Sequence, residues 1–246
     1  MIDLHAHLVY GFDDGAADRD CCSRMLEIYA ANGVDTVCGT SHSAADVDHR
    51  YQDCFDATAE LAKEFGVKLL PGMEYALPDL LNDPGRPLGA GRYFLLDTAL
   101  FPIDSALFNK LMPLVAGDHS ILWAHPERLH TDSPVETVKK YAVLRGSACQ
   151  LNASSLLGRY GSKPKEAGWK LLSGGYCAAI ASDAHHPEAV TNFVRAAQLL
   201  GELYPPELRD VWFTVNPGRI LAGKFPERPE IPKLGWLARL KVRFLD

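Results

Sequence analysis

The sequence predicts an α/β protein whose parallel strands alternate with helices. The first observation is a regular alternation of short apolar runs and amphipathic segments, which gives seven strand–helix units between residues 2 and 203. Such alternation favours parallel strands joined by right-handed crossovers. The second observation is that histidine and acidic side chains follow most of the apolar runs, at the strand ends where an α/β fold carries its site. Seven short apolar strands indicate a closed or nearly closed barrel, with an open doubly wound sheet as the alternative.

The individual elements follow from local patterns along the chain. The predicted strands cover residues 2–5, 34–39, 67–70, 93–96, 121–123, 148–151 and 176–181. The predicted helices cover residues 18–32, 51–65, 105–115, 135–144, 164–172 and 188–203. Asp18 is suited to cap the first helix, and glycines follow the helices that end near residues 32, 65 and 172. Residues 77–92 are rich in Pro, Gly and Asp, which predicts a long loop.

Length and composition indicate one domain with a sizeable core. The chain has 246 residues, of which 47% are hydrophobic, and barrels of this length are ordinarily one domain. The net charge of −6 provides no basic field that would attract nucleic acid. The N-terminus lacks the regions of a signal peptide and no apolar run approaches a membrane span, so we expect a cytoplasmic protein. We expect the barrel to occupy residues 1–225 and a short C-terminal tail to occupy residues 226–246.

Imidazole and carboxylate groups follow all but the sixth of the predicted strands. His5 and His7 lie two residues apart on an extended segment, so both rings should point to the same side. The strand-end candidates are His5, His7, His42, Glu74, Asp97, His125, Asp183 and His185. Such a cluster at one barrel mouth would be strongly repulsive without a cation. Nitrogen and oxygen ligands without thiolate suit Mn²⁺, Fe²⁺, Zn²⁺ or Co²⁺, and this many ligands indicate two or three ions.

Arg128 indicates the class of substrate. It stands three residues after His125 in the same loop, so its guanidinium should project over the metal centre and bind phosphate oxygens. The alternative is a surface ion pair, for example with Glu127. Arg159, in the Gly-Arg-Tyr-Gly turn after the sixth strand, is a candidate for a second phosphate contact. None of the six cysteines is followed six positions later by arginine, which argues against a cysteine-dependent phosphatase.

The motifs resemble those of a known family over most of residues 1–222. They are Met-Ile-Asp-Leu-His-Ala-His at the start, Phe12-Asp13-Asp14-Gly15, Thr40-Ser41-His42, Gly72-Met73-Glu74, His125-Pro126-Glu127-Arg128, Gln150-Leu151-Asn152, Ser155-Leu156-Leu157-Gly158, Ser182-Asp183-Ala184-His185 and Asn216-Pro217. In this order and spacing the chain is similar to the bacterial capsular-polysaccharide tyrosine-protein phosphatases of the polymerase and histidinol phosphatase (PHP) superfamily. The resemblance implies a distorted seven-stranded α/β barrel, three metal ions that are often Mn²⁺, and hydrolysis of phosphotyrosine on a bacterial tyrosine autokinase.

The resemblance also implies roles for individual residues. Carried over by position, the metal ligands are His5, His7, Asp14, His42, Glu74, Asp97, His125, Asp183 and His185, and Arg128 binds the phosphate. The family usually has glutamate where this chain has the shorter Asp97, which makes a bridging role there less secure. It also tends to have an arginine just beyond the Asp-x-His pair, where this chain has His186, so phosphate binding should depend more on Arg128. His42 is a candidate to assist the leaving group.

Other functions fit part of the same pattern. One alternative is a histidinol-phosphate-type phosphomonoesterase of the same superfamily. Another is a metal-dependent amidohydrolase or lactonase, although no lysine stands at a predicted strand end. A third is a non-catalytic module that binds a kinase. In the tail, residues 234–245 are apolar with interleaved bases, and as an amphipathic helix they could pack on the barrel, pair with another subunit or touch an anionic membrane.

Overall fold

Strands and helices alternate along the chain in the computed structural model, which describes residues 1–43, 50–82, 84–99, 104–131, 133–142 and 147–245. The strands are β1 (Ile2–Ala6), β2 (Thr36–Gly39), β3 (Lys68–Pro71), β4 (Glu74–Tyr75), β5 (Tyr93–Asp97), β6 (Ser120–Ala124), β7 (Ser147–Asn152) and β8 (Ala179–Ala181). The helices are α1 (Arg19–Ala31), α2 (Tyr51–Glu64), α3 (Leu77–Asn82), α4 (Ser105–Ala116), α5 (Pro134–Thr137), α6 (Ala153–Leu156), α7 (Ser162–Ser173), α8 (Pro187–Leu203), α9 (Pro206–Asp210), α10 (Asn216–Leu221) and α11 (Trp236–Arg243). A 3₁₀ turn covers Pro126–Arg128, and π-type segments cover Val138–Ala142 and Val211–Val215.

The strand pairs of the described residues are all parallel, and the strands form two sheets that meet edge to edge. The order is β1-β2-β3 in one sheet and β4-β5-β6-β7-β8 in the other. Single bridges join the sheets at both seams, between His42 and Glu74 and between Ala6 and Ala184. Strands β3 and β4 are consecutive parts of one unit, which pairs with β2 at its start and with β5 at its end. The chain is therefore a distorted barrel of seven units in one domain, and the predicted fold class is confirmed.

Helix α1 shows how local sequence sets the elements around the barrel. The Asp18 carboxylate accepts the N–H of Cys21 at 2.8 Å, which caps the helix as predicted. Gly33 follows the helix with φ of +70°, a left-handed conformation that glycine adopts without a Cβ clash. The helix buries the side chains of Cys22, Met25, Leu26 and Tyr29, whose spacing places them on one face. This face packs toward the strands that end at the site.

Some predicted elements differ from the structure. The predicted loop over residues 77–92 begins with α3, because proline is tolerated in a first helical turn and Leu77 and Leu80 bury their side chains. The predicted helix over residues 135–144 is the short α5 followed by a π-type segment, and residues 143 and 144 lie outside the described residues. The predicted strand over residues 176–181 is shorter, because the Tyr176 N–H is bonded to the Leu171 carbonyl at 3.0 Å, at the end of α7. Helices α9 and α10 were not predicted.

The strands are covered on both faces, as expected of parallel strands flanked by helices. All residues of β5 and β6 are buried, and so are those of β7. Histidine and acidic side chains enter this apolar interior at the carboxyl ends of the strands, which form one mouth of the barrel. None of the helices in the described part of the chain is long and apolar enough to cross a membrane.

Candidate metal centre

Four buried side chains from four strand ends form the inner part of the site. They are His5, Glu74, His125 and Asp183, here called the inner group, and their ligand atoms lie within 4.8 Å of one another. His125 Nε2 is 3.0 Å from a Glu74 oxygen, and His5 Nε2 is 3.3 Å from an Asp183 oxygen. His125 and Asp183 have φ of +36° and +52°, left-handed conformations that non-glycine residues rarely adopt. Backbone strain of this kind is retained mainly at functional sites.

A second set of candidate ligands lies nearer the solvent. His7, Asp14, His42 and His185, here called the outer group, also have ligand atoms within 4.8 Å of one another. An Asp14 oxygen lies 3.4 Å from His42 Nε2 and 3.5 Å from His185 Nε2. The rings of His7 and His185 stack with their centroids 3.9 Å apart. The structure therefore brings together eight of the nine predicted ligands in two adjacent groups.

The carboxylates of the inner group also contact the outer group. Glu74 Oε2 lies 3.4 Å from His7 Nε2 and 3.1 Å from His42 Nδ1. Asp183 Oδ1 lies 3.3 Å from His5 Nε2 and 3.5 Å from His7 Nε2. A carboxylate with imidazoles on two sides has the position of a ligand shared by neighbouring ions. Glu74 and Asp183 are thus the candidates for bridging ligands.

Asp97 is the predicted ligand that belongs to neither group. Its Oδ1 lies 3.9 Å from His125 Nε2 and accepts the N–H of Ala99 at 2.7 Å. The side chain is largely buried at the edge of the inner group. A short carboxylate that is already hydrogen-bonded to its own loop does not reach the other ligands in this conformation. Its participation in metal binding stays a prediction.

Two residues without a role in the sequence analysis orient the ligands. Asp13 Oδ2 lies 2.8 Å from His7 Nδ1 and also accepts the backbone N–H of His42 at 3.0 Å. Gln150 Oε1 lies 3.0 Å from His5 Nδ1. An oxygen acceptor at Nδ1 fixes the proton there, which leaves the Nε2 lone pair free for a metal. Asp13 and Gln150 are therefore candidates to orient the ligands, since their oxygens are engaged by His7 and His5.

The loop that carries Asp13 and Asp14 passes very close to the first strand. A Cβ atom on Gly15 would lie 2.1 Å from the His7 carbonyl oxygen, well inside van der Waals contact. Only glycine therefore fits at this position. The N–H of Gly15 is bonded to an Asp13 oxygen at 3.1 Å, so the turn is also tied to the residue that orients His7.

Arg128 points toward the ligands and not toward Glu127. Its Nη1 donates to Asp183 Oδ2 at 2.8 Å, and its guanidinium lies 4.6 Å from the centroid of the Tyr160 ring. Glu127 is buried and accepts a backbone N–H of strand β7 at 3.0 Å, so the alternative ion pair between Arg128 and Glu127 is not observed. Arg159 is exposed, and among the described residues no contact joins its side chain to either ligand group.

The mouth has the electrostatics of a cation site. Burial lowers the pKa of His5, but the carboxylates of Glu74 and Asp183 outweigh it and raise the pKa to about 9. Burial likewise opposes charge on Glu74, yet the surrounding imidazoles hold its pKa well below the usual range. For Asp13, burial is outweighed by the hydrogen bond with His7, which brings the pKa to about 2. Buried carboxylates that stay ionised need positive charge beside them, which protonated imidazoles or bound cations can supply.

The donor atoms fit divalent transition-metal ions. The two groups offer imidazole nitrogens and carboxylate oxygens and no thiolate, a set typical of Mn²⁺, Fe²⁺ or Zn²⁺ in hydrolytic sites. His5 Nε2 and His7 Nε2 face each other at 3.3 Å, which two lone pairs do not tolerate without a proton or a cation nearby. The residues of the mouth therefore suit metal ions in both groups.

An α/β barrel with clustered candidate metal ligands at the carboxyl ends of its strands is typical of metal-dependent hydrolases. Within this class, the match of a sequence model identifies the family. The chain belongs to the CpsB/CapC family of capsular polysaccharide synthesis, whose model matches residues 1–222. The family expected from the sequence motifs is thereby confirmed.

Relatives in the same family are named as tyrosine phosphatases. The chain is 28% identical over 206 residues to the tyrosine-protein phosphatase YwqE of Bacillus subtilis (strain 168). The aligned region covers 76% of this chain and 78% of YwqE. It is 25% identical over 248 residues to the tyrosine-protein phosphatase CpsB of Streptococcus pneumoniae. This alignment covers 90% of this chain and 98% of CpsB. It is also 25% identical over 212 residues to a putative tyrosine-protein phosphatase, CapC, of Staphylococcus aureus, with 78% of each chain covered.

Solved structures show the same fold. A chain from the crystal structures of YwqE and CpsB, described as unique metal-dependent tyrosine phosphatases, superposes with a TM-score of 0.78 at 23% identity and covers 96% of this chain and 100% of that one. A lactonase from Listeria monocytogenes has a TM-score of 0.53 at 13% identity and covers 89% of this chain and 94% of the lactonase. At these identities the likeness concerns the barrel alone, and it agrees with the fold built above from strands and seams.

Proposed function

We propose that the protein is a metal-dependent protein-tyrosine phosphatase. The observation that carries the proposal is the position of Arg128, which donates to Asp183 at the mouth where both ligand groups lie. A guanidinium can bind two phosphate oxygens at once, so Arg128 in this position would hold a phosphate next to the proposed metal ligands. We propose phosphotyrosine on a bacterial tyrosine autokinase of capsular or exopolysaccharide synthesis as the substrate. The relatives' names and the family's place in capsular polysaccharide synthesis support this substrate.

We propose that two to three divalent ions bind at the mouth, with Mn²⁺ as the first candidate and iron or zinc as alternatives. The inner group would hold one ion and the outer group a second, with Glu74 and Asp183 between them. Asp97, beside His125, would contribute to a third. Bound cations would supply a water of lowered pKa and positive charge opposite the phosphate oxygens.

The remaining residues of the mouth would bind and orient the substrate. Arg128 would exchange its bond with Asp183 for phosphate oxygens, and Arg159, on the exposed turn, is the proposed second contact. Tyr160 is exposed and lies against the Arg128 guanidinium, so its ring would contact the phenyl ring of a phosphotyrosine. His42 is partly exposed, and with one ring nitrogen on an ion of the outer group, the N–H at its other nitrogen would assist the departing oxygen by a hydrogen bond. A phenol has a pKa of about 10 and needs less protonation than an alkyl alcohol, which favours aryl phosphates.

The test pairs metal content with turnover. Protein purified without chelator is analysed by mass spectrometry for metal, and hydrolysis of a phosphotyrosine peptide is measured before stripping, after stripping and after addition of Mn²⁺. His7→Ala should lower turnover at least about a hundredfold. His119→Ala is the matched control, because His119 precedes β6 at the opposite end of the barrel from the mouth. Near-normal activity of His7→Ala would refute the metal-centre model.

Parallel substrates separate the alternative functions. Histidinol phosphate and a lactone are assayed beside the phosphotyrosine peptide under the same metal conditions. Preference for histidinol phosphate would assign the protein to the hydrolysis of small phosphomonoesters. Lactone turnover would assign it to lactone hydrolysis, the reaction for which the Listeria structural relative is named. Bound metal without turnover of any substrate would favour the non-catalytic kinase-binding module.

A further inference from the structure

The C-terminal helix α11 presents an apolar stripe to solvent. Trp236, Leu237, Leu240 and Phe244 are 71%, 64%, 39% and 70% exposed. With about 100° of rotation per residue, these four side chains fall within an arc of about 100° along the helix and its last turn. Together they expose on the order of 500 Å² of apolar surface. A contiguous apolar patch of this size on a soluble protein is commonly a site of interaction.

The opposite side of the same segment is fixed to the barrel. Val242, Leu245 and Leu234 pack against the main hydrophobic core. Lys165, on α7, donates to the carbonyl oxygen of Leu245 at 2.7 Å, and Lys241 forms an ion pair with Glu202 on α8. Because these contacts hold one face inward, the apolar stripe has a defined outward direction. It is not an unfolded tail that happens to be apolar.

Basic residues accompany the stripe. Residues 231–246 contain four basic residues, Lys233, Arg239, Lys241 and Arg243, against one acidic residue, Asp246, in a chain whose net charge is −6. On the helix, Arg243 borders the apolar arc on one side, and Lys241, whose ammonium is paired with Glu202, lies on the other. An exposed tryptophan, an apolar arc and basic flanks are the features of helices that lie in the plane of an anionic lipid surface.

We infer that α11 docks this protein onto an anionic membrane surface, with Trp236, Leu237 and Phe244 entering the lipid interface. The helix has 8 residues and is about 12 Å long, against about 30 Å for the hydrocarbon core, so it can only lie flat. A second copy of the chain is a poorer occupant, because a two-fold pairing of the stripe would bring the basic residues of the two copies together. The inference does not rest on the proposed phosphatase activity.

Tryptophan fluorescence provides a direct readout of this docking. Of the four tryptophans, Trp123, Trp169 and Trp212 are buried and Trp236 is the exposed one. A blue shift of emission when vesicles are added therefore reports the transfer of Trp236 into an apolar environment. The full chain is titrated with phosphatidylglycerol vesicles and with phosphatidylcholine vesicles, and co-sedimentation is measured in parallel. Trp236→Phe should still sediment with the vesicles while losing the spectral shift.

Variants separate the apolar and the electrostatic parts. Leu237→Asp should abolish sedimentation with anionic vesicles, whereas Met112→Asp, an equally drastic change at an exposed apolar residue of α4, should leave it intact. Lys233→Glu with Arg243→Glu should weaken partitioning by more than tenfold, since each basic residue beside an anionic surface contributes about fivefold. Raising the salt to 1 M, where the screening length is about 3 Å, should have a similar effect.

The possible outcomes decide the inference. A blue shift and sedimentation with phosphatidylglycerol but not with phosphatidylcholine, lost in Leu237→Asp, would support it. No shift with either vesicle, or equal binding to both, would overturn it. A shift that grows with protein concentration in the absence of lipid, together with a dimer in analytical ultracentrifugation, would assign the stripe to a second copy and would also overturn it.

Discussion

Replacing Asp13 by asparagine should weaken metal binding without unfolding the barrel. Asp13 Oδ2 accepts the His42 backbone N–H at 3.0 Å and lies 2.8 Å from His7 Nδ1, while Oδ1 accepts the Gly15 N–H at 3.1 Å. An asparagine has one oxygen and cannot satisfy all three contacts. With its oxygen toward His7 and His42, the amide offers His7 Nδ1 only a neutral acceptor; with its nitrogen there, it forces the ring proton to Nε2. In either orientation His7 Nε2 becomes a weaker ligand for the outer group.

The size of the effect follows from the bond that is lost. A hydrogen bond to a charged group contributes about 1.5–3 kcal/mol, or roughly 10- to 150-fold in an equilibrium constant. Removal of a partner that orients a ligating histidine typically costs about 10–100-fold in metal affinity or activity. For Asp13→Asn we therefore expect the Mn²⁺ concentration that restores half of the activity to stripped protein to rise about 10- to 100-fold.

The assay is a Mn²⁺ titration of stripped protein with phosphotyrosine-peptide hydrolysis as the signal, supported by calorimetric binding. Asp53→Asn is the matched control, because Asp53 is exposed on α2 and the chemical change is the same. Thermal unfolding of the stripped variants shows that both fold. If the Mn²⁺ titration of Asp13→Asn superimposes on that of the unaltered protein, the orienting role of Asp13 is refuted.

Three further changes test other parts of the mouth. Arg128→Lys should raise KM for a phosphotyrosine peptide about tenfold, because an ammonium cannot form the paired hydrogen bonds of a guanidinium; an unchanged KM in steady-state kinetics would remove Arg128 from phosphate binding. Gly15→Ala should lower the free energy of unfolding by about 1–3 kcal/mol, because its Cβ would lie 2.1 Å from the His7 carbonyl oxygen. Thermal unfolding measures the effect. Gly235→Ala is the control, because no atom lies within 4 Å of its new Cβ. Asp97→Ala should retain about two ions per chain by mass spectrometry, since Asp97 is in neither ligand group, and loss of all metal would contradict that grouping.

The convergence of the ligands was predictable because parallel strands in a barrel end at one mouth. His42, Glu74 and Asp183 follow different strands and are far apart in sequence, yet this rule alone brings them together. Gln150 was within reach of the same reasoning, since it lies two residues before Asn152 and on the same side of β7. Its amide is not a usual metal ligand, so a pattern of imidazoles and carboxylates does not include it.

Other features depend on tertiary contacts that a single sequence does not encode locally. Asp13 and Asp14 are neighbours of the same type, and only the folded loop decides that one orients His7 and the other joins the outer group. The pairing of Arg128 with Tyr160 joins residues 32 positions apart. Short helices such as α3, α9 and α10 are marginal in isolation and form because packing stabilises them, which explains why propensity and periodicity did not predict them.

Bound metal would also affect the stability of the barrel, because the ligand groups lie across its seams. Each ligand group draws side chains from both sheets, while the sheets themselves are joined by single bridges at His42–Glu74 and Ala6–Ala184. Ions bound across the seams would hold the two sheets together. At a free metal concentration of a thousand times the Kd, such binding would stabilise the folded chain by about 4 kcal/mol. We therefore expect the stripped protein to be cleaved faster by proteases than the metal-loaded protein. Where metal is scarce, the lifetime of the folded protein would then fall along with its turnover.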